Sequence, residues 1–404
     1  MTTTVYIEES GTPIYARIAK ALGAQLVRLG MNVLVIKPLG FNQQSFLECV
    51  KGLPEKSIYV TNAGRNIIQH RLAGQPTHYF EHFPGRVVFI HQDSILSGMT
   101  FAQGFALLQA WQRIGDRSVH LCIEPSSVDT LHLAGIANAH LVPHASEFMA
   151  IEPLVDGFEH PASFIGHVVP SMYRQSTGST SVDALIQRLY ERRQNDMSAN
   201  VQADLAEFSE SALECLGNSD DSHLLRQAYT LWLRGQLMHH SMQFRGWVFE
   251  QGQIGALEIF GGDPGYIHGL DRSLRIERDS ISYRPAVYEQ AVVSRVYRAS
   301  VANINITSLQ FDYAVINRFH DAFMAGGLCL TDRRDGLSAL TRHHAELSFS
   351  TLHELEERLR YFSRPDKRRE RARLISAVQR ELVENSGYPR LAREISSFIA
   401  KPSS

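Results

Sequence analysis

Cysteine is scarce: four among 404 residues, widely spaced and without a C-x-x-C pair. Three of the four, Cys49, Cys122, Cys215 and Cys329, lie in apolar runs, as buried thiols do, so neither a disulfide framework nor a zinc site is expected. Charge of one sign is lacking as well. The formal net charge is -2, which supplies no field for steering toward nucleic acid, and such a partner is disfavoured. No apolar run approaches the roughly 18 residues of a membrane span. The N-terminal MTTTVYIEESG enters a strand directly, with no charged segment ahead of an apolar one, so a cytoplasmic protein of bacterial type is expected. No D-x-D triplet stands at a strand end to hold a metal.

With 44% apolar and 20% charged residues, the chain is of ordinary globular composition. Its length exceeds the usual single-core size and points to about two domains.

Strands alternate with helix-length segments through the first part. Thr3 to Glu8 reads as a strand, Ile14 to Leu29 carries helical spacing, and Met31 to Lys37 is an apolar run of the kind covered on both faces in a parallel sheet. Further strands follow at Ser57 to Thr61, Arg86 to His91, Val119 to Glu124 and His140 to Pro143, which makes a Rossmann-like half. Ligands of such sheets sit at the carboxyl ends of the strands. These are the loops at Gly11 and Thr12, His91 to Asp93, Glu124 to Ser127, and His144. Gly11 and Thr12 let backbone N–H groups approach a substrate, although turn chemistry alone explains them. His91 and Asp93 are candidates for proton transfer or for hydrogen bonds to sugar hydroxyls; the alternative is an Asp that caps the next helix.

Glu152 to Pro161 has the composition of a connection, and a second domain is expected from about Ser163. Thr180 to Glu250 has helical spacing and no convincing strand, and is expected to be a helical insertion in that domain. Ala256 to Phe260 is a strand followed by the glycine-rich GGDPGY. Thr351 with Glu354 forms a capping box. The basic run Arg364 to Arg373 reads as a solvated helix.

The stretch from Val301 to Leu337 organises the rest. VANINI is a strand; from Val315 the apolar period becomes helical, which leaves Asn317, Arg318 and Asp321 on the polar stripe at a helix start. There, N–H groups without internal partners and the positive dipole end suit a phosphate, and a carboxylate one turn further suits a sugar hydroxyl. An i,i+3 ion pair between Arg318 and Asp321 is the plainer alternative.

RFHDAFMAGGLCLTDRRDGLSAL resembles the R-x-x-E-A-x-A-x-G-x-x-x-L-T-D segment of group-1 glycosyltransferases of the spore-protein CgeB-like type. LAGIANAHLVPHAS (Leu133 to Ser146), SFIGHVVPSMYR (Ser163 to Arg174) and YRASVANINIT (Tyr297 to Thr307) are similar to three further segments of that family, in the same order. The resemblance implies a GT-B fold, α/β, with two Rossmann-like domains facing each other across a cleft: residues 1–155 on the acceptor side, 156–385 for the donor with the insertion at about 180–250, and 386–404 as a last helix crossing back. It implies transfer of a sugar from a nucleotide-sugar, a UDP-sugar above all, to a protein, glycan or other acceptor, retaining and without metal or other cofactor. Gly166, Arg174, Asn317, Arg318 and Asp321 would then serve the donor, with the cations and the helix start on its diphosphate.

Two departures stand against the family pattern. The carboxylate before A-x-A-x-G is Asp321, not Glu. The Glu that related families place eight residues earlier is Tyr313. They keep open a catalytically lapsed scaffold or glycan-binding protein, and a nucleotide-sugar epimerase is a third reading; for its paired carboxylates only Asp93 stands out.

Overall fold

The computed structural model describes residues 3–9, 13–36, 53–61, 69–72, 75–173, 176–214, 220–261 and 275–400. Gly11, Thr12 and Arg174, and the GGDPGY loop beyond Gly261, lie outside the described residues.

The chain divides into two compact units, one of residues 1–143, 202–236 and 388–404, the other of residues 144–201 and 237–387. Each is built on a six-stranded parallel sheet. The first takes β1 (Thr4–Glu8), β2 (Asn32–Ile36), β3 (Ile58–Thr61), β6 (Arg86–His91), β7 (Ser118–Cys122) and β8 (Ala139–Leu141) in the order β2-β1-β3-β6-β7-β8; β4 (Gln69–Leu72) and β5 (Gln75–His78) pair apart as an antiparallel hairpin. The second takes β9 (His160–Ile165), β10 (Leu257–Phe260), β11 (Ile281–Arg284), β12 (Ser300–Asn305), β13 (Cys329–Asp332) and β14 (Ser348–Phe349) in the order β11-β10-β9-β12-β13-β14.

Val5, Ile7, Val60, Val87, Phe89 and Leu121 are buried in the first sheet, and Phe164, Ile259, Ala302, Ile304 and Leu330 in the second. These branched and aromatic side chains suit strands that helices cover on both faces. The apolar β2 is different: it is an edge strand, with Leu34 45% and Val35 42% exposed. An apolar run in sequence does not say whether its strand has neighbours on both sides.

The division of the chain departs from the sequence-based boundaries in two places. The boundary falls at Pro143/His144 and not at 155/156. The reason lies in the hydrogen bonding of the connecting stretch: Ile151 N–H donates to Met324 O, Gln379 Nε2 to Ile151 O, and Ser146 Oγ to Asp321, all in the second unit. The helical stretch is not a single insertion in the second domain either. Its helices Thr180–Asn195 and Ser241–Gln251 belong there, but Gln202–Ala212 and most of Asp220–His239 belong to the first unit. Leu224, Ala228 and Leu231 join the core of Phe83, Phe89 and Trp111, and the Arg234 guanidinium donates to Ser127 Oγ at 2.9 Å. The last helix, Tyr388–Ala400, packs on the Pro13–Arg28 helix of the first unit.

The basic run Arg364 to Arg373 is solvated except at Arg371. That side chain is fully buried, donates to the carbonyls of Ser300 and Val301, and lies 4.6 Å over the Phe158 ring. The second unit also encloses four charges. Arg193 pairs with Asp312 and Arg334 with Asp332, all almost wholly buried.

Candidate functional site

Counted within itself, the second sheet has the order 3-2-1-4-5-6, so the order in which its parallel strands are added reverses between β9 and β12. Where neighbouring strands send their connections to opposite faces, a crevice opens at their carboxyl ends, and ligands of doubly wound sheets bind there. β9 ends at Ile165, followed by Gly166; β12 ends at Asn305.

Arg318 spans this point. Its Nε donates to Ile165 O at 2.7 Å and its Nη1 to Asn305 Oδ1 at 2.6 Å. The guanidinium stands 4.6 Å over the Phe164 ring. Burial pushes its pKa down, with Tyr297 and acidic neighbours opposing the shift. Among the described residues Nη2 has no hydrogen-bond partner, and it points past Gly166, where an added Cβ would stand 2.8 Å from it. Gly166 has φ +150°, and Gly261, at the end of β10, has φ +149°. A Cβ on Gly261 would come within 2.2 Å of Gly166 O. The two glycines let the strand ends close up beneath the arginine.

Arg318 is the second residue of the helix Asn317–Met324, whose N-cap residue, Ile316, makes no side-chain cap. The N–H groups of Asn317 and Arg318 have no helical acceptor, while that of Phe319 donates to Ile316 O at 3.1 Å. Asn317 and Arg318 are half-buried. Thus Gly166, Asn317 and Arg318 are brought together as a fixed cation, a close backbone and an uncapped helix start. The ion pair of Arg318 with Asp321 does not form; the guanidinium turns instead to the strand ends.

Asp321 is placed otherwise than the sequence suggests. It is 6% exposed, and its Oδ1 accepts from Ser146 Oγ at 2.7 Å. The carboxylate that the spacing assigns to the polar stripe is thus covered by the 144–151 segment. Beside it, His144 and His320 have ring centroids 6.3 Å apart, and burial holds their pKa values down to about 4 and about 3.

In the first unit, Asp93 follows β6 and accepts from Tyr15 Oη at 3.2 Å. It does not cap the next helix, Phe101–Ile114, which Thr100 and Gln103 cap in a reciprocal box. His91 ends β6, but its ring faces inward. It stacks in parallel with His120, lies edge-on to Trp111, and its Nε2 is 3.1 Å from His120 Nδ1. Burial lowers its pKa to about 3. The strand alternation that buries Phe89 also buries His91, which opposes the acid–base role expected of it.

Sequence reasoning missed residues at both sheets' reversal points. In the first, Glu8 Oε2 accepts from Thr61 Oγ1 at 2.6 Å and Tyr59 Oη at 3.4 Å. In the second, Asn305 and Thr307 are buried polar residues at a strand end. Their signal was polarity inside or just beyond an apolar strand, and it acquires meaning only once the strand order is known. Among the described residues no cluster of three or more His, Cys, Asp or Glu is placed to hold a metal. No helix among them is long and apolar enough to cross a membrane.

Residues 252–395 match a family model described as glycosyl transferase-like. No curated protein matches the chain. Among solved structures, the DNA-modifying β-glucosyltransferase of phage T4 is similar over 99% of this chain and 100% of its own, with TM-score 0.53 and 11% identity. The same enzyme with its UDP-glucose substrate gives TM-score 0.54 at 11% identity, over 99% of this chain and 100% of its own. Anabaena Alr3699/HepE in complex with UDP-glucose matches 99% of this chain and 100% of its own, with TM-score 0.53 and 10% identity. The two parallel six-stranded sheets with their surrounding helices are therefore the GT-B glycosyltransferase fold.

Proposed function

We propose that the protein is a glycosyltransferase that takes its sugar from a nucleotide-sugar, with the donor's diphosphate held at the carboxyl end of the second sheet. One observation carries this reading: Arg318 is fixed across the β9/β12 reversal point, with Nη2 still open for an anion beside the uncapped helix start. The glycosyl transferase-like match over residues 252–395 covers this region. UDP-glucose is bound by both T4 β-glucosyltransferase and Alr3699/HepE, which favours a UDP-sugar here.

In such a reaction the protein's task is electrostatic. A cation and backbone N–H groups fixed in advance stabilise the leaving diphosphate as its charge grows, at little reorganisation cost. Arg318, Asn317 N–H and the close approach at Gly166 are assigned that task. Retention, and transfer without a metal, belong to the same proposal, with Asp93 as the first unit's candidate for handling the acceptor's proton. Gly11 and Thr12, from their strand-end turn, and Arg174, from the resemblance, remain candidate donor contacts. A cytoplasmic location fits an enzyme fed by nucleotide-sugars.

The covered position of Asp321 favours a second reading, a lapsed glycosyltransferase fold acting as a scaffold. A melting screen with UDP, GDP, TDP, ADP and CMP separates the two. A ligand that binds only the folded state at 100 times its Kd stabilises by about 2.7 kcal/mol. A rise with one nucleoside diphosphate is expected; no rise with any of them supports the scaffold.

A further inference from the structure

Arg318 owes its orientation to a neighbour that no motif assigns to the site. Asn305 is fully buried at the last position of β12. A guanidinium has only donors, so the Asn305 atom that meets Arg318 Nη1 at 2.6 Å must be the amide oxygen. The amide nitrogen is thereby turned the other way, where it donates to Thr331 Oγ1 at 2.9 Å. The Thr331 hydroxyl, accepting on one side, has its own hydrogen for Asp332, whose main-chain oxygen is 3.2 Å away and whose Oδ1 is 3.4 Å away. Asp332 is anchored in turn by Thr307, whose N–H and hydroxyl each donate to Oδ1 at 2.8 Å, and by the Arg334 guanidinium.

Every donor and acceptor along this line has one possible sense. It runs from the Asp332 carboxylate through Thr331 and Asn305 to Arg318, across β13, β12 and the first turn of the 317–324 helix. A lone hydrogen bond from Nε to Ile165 O would leave the guanidinium free to turn about that contact; the second bond, to Asn305, fixes its plane. With the plane fixed, Nη2 is directed over Gly166.

We infer that Asn305 is a positioning residue that, backed by Thr331, sets the Arg318 guanidinium in the orientation that receives the diphosphate. This rests on the donor-site reading above. Asn305 touches no ligand itself; it acts by removing the rotational freedom that Arg318 would otherwise lose on binding. A neutral amide is suited to this. It orients the guanidinium by hydrogen bonding without cancelling its charge, whereas a carboxylate at the same position would pair with the arginine and repel the anion.

The test is the ratio of the dissociation constants for uridine and UDP, measured by calorimetry or by competition on the full chain. Uridine carries no phosphate, so a merely structural defect weakens both ligands, whereas a misdirected Arg318 weakens UDP alone. Asn305→Leu, which removes the acceptor without adding a charge, and Arg318→Ala are each expected to lower the ratio about tenfold, near the value of a charged hydrogen bond. Combining them is expected to lower it no further, because both act through one guanidinium. Thr331→Val keeps the shape, frees the Asn305 amide to rotate, and is expected to lower the ratio about threefold. If Asn305→Leu fails to fold by thermal melting, Thr331→Val carries the test.

A ratio unchanged in the folded Asn305 or Thr331 variants, with Arg318→Ala lowering it, overturns the positioning role and leaves the donor site standing. So does a double variant whose losses add. Absence of UDP binding by the wild type overturns the donor-site reading, and this inference with it.

Discussion

Replacing Ser146 and Asp321 separately distinguishes a carboxylate that binds ligand from one that holds the chain together. The Ser146 hydroxyl donates to Asp321 Oδ1 at 2.7 Å, and Asp321 is 6% exposed. A hydrogen bond to a charged, buried acceptor contributes about 1.5 to 3 kcal/mol. Ser146→Ala removes that donor and leaves the carboxylate in place, so the second unit loses stability by this amount. For a unit of such size, about 2 to 4 °C per kcal/mol converts the loss to a fall in Tm of about 3 to 12 °C. The same melts in the presence of UDP decide the role of the carboxylate. If Asp321 contacts the ribose hydroxyls of the nucleotide, Asp321→Asn weakens UDP by up to tenfold more than Ser146→Ala does. If it is an anchor for the 144–151 segment, both variants lower Tm and neither changes the stabilisation that UDP brings. The covered geometry favours the anchor. A Ser146→Ala protein with unchanged Tm refutes this reasoning, because the bond would then contribute nothing.

The buried charge cluster and the buried histidines give two further expectations. Asp312→Ala leaves Arg193 buried without its partner, which costs about 3 to 5 kcal/mol, and guanidinium titration of wild type and variant measures it. His144 and His320 are held to about 4 and about 3 in the folded chain, below the ordinary histidine value near 6.5. Unfolding therefore takes up protons at mildly acid pH. Stability is full above about pH 6.5 and falls toward pH 4, by roughly 1 kcal/mol per pH unit for each histidine; His144→Phe, which cannot charge, should flatten that fall in urea titrations across the range.

Much of the architecture was legible in the sequence because it rests on period. Arg86–His91 is a strand at its expected bounds, VANINI lies in β12 except for its last residue, Ile306, and Thr351 caps its helix by accepting from Glu354 N–H. What the period cannot give is the partner. Apolar β2 lies at an edge, Gln202–Gln236 joins the first unit, and Arg371 is buried within a basic run. Each outcome depends on what packs alongside and not on the segment's own pattern. The candidate site divides in the same way. The placement of Arg318 at a helix start and of Gly166 after a strand was legible because both are local signals. The covering of Asp321 by Ser146 joins residues 175 positions apart in sequence, and the link from Asn305 to Thr331 needs the β12/β13 register. His91 was misplaced for a related reason: its position at the strand end was right, but the face it presents follows from the buried Phe89 two residues before it.

The most direct test of the central claim is a crystal structure of the protein with UDP. The diphosphate is expected at the carboxyl ends of β9 and β12, with an oxygen within hydrogen-bonding distance of Arg318 Nη2 and of the Asn317 N–H. UDP bound with its phosphates away from Arg318, at the first sheet or at the surface, would contradict it.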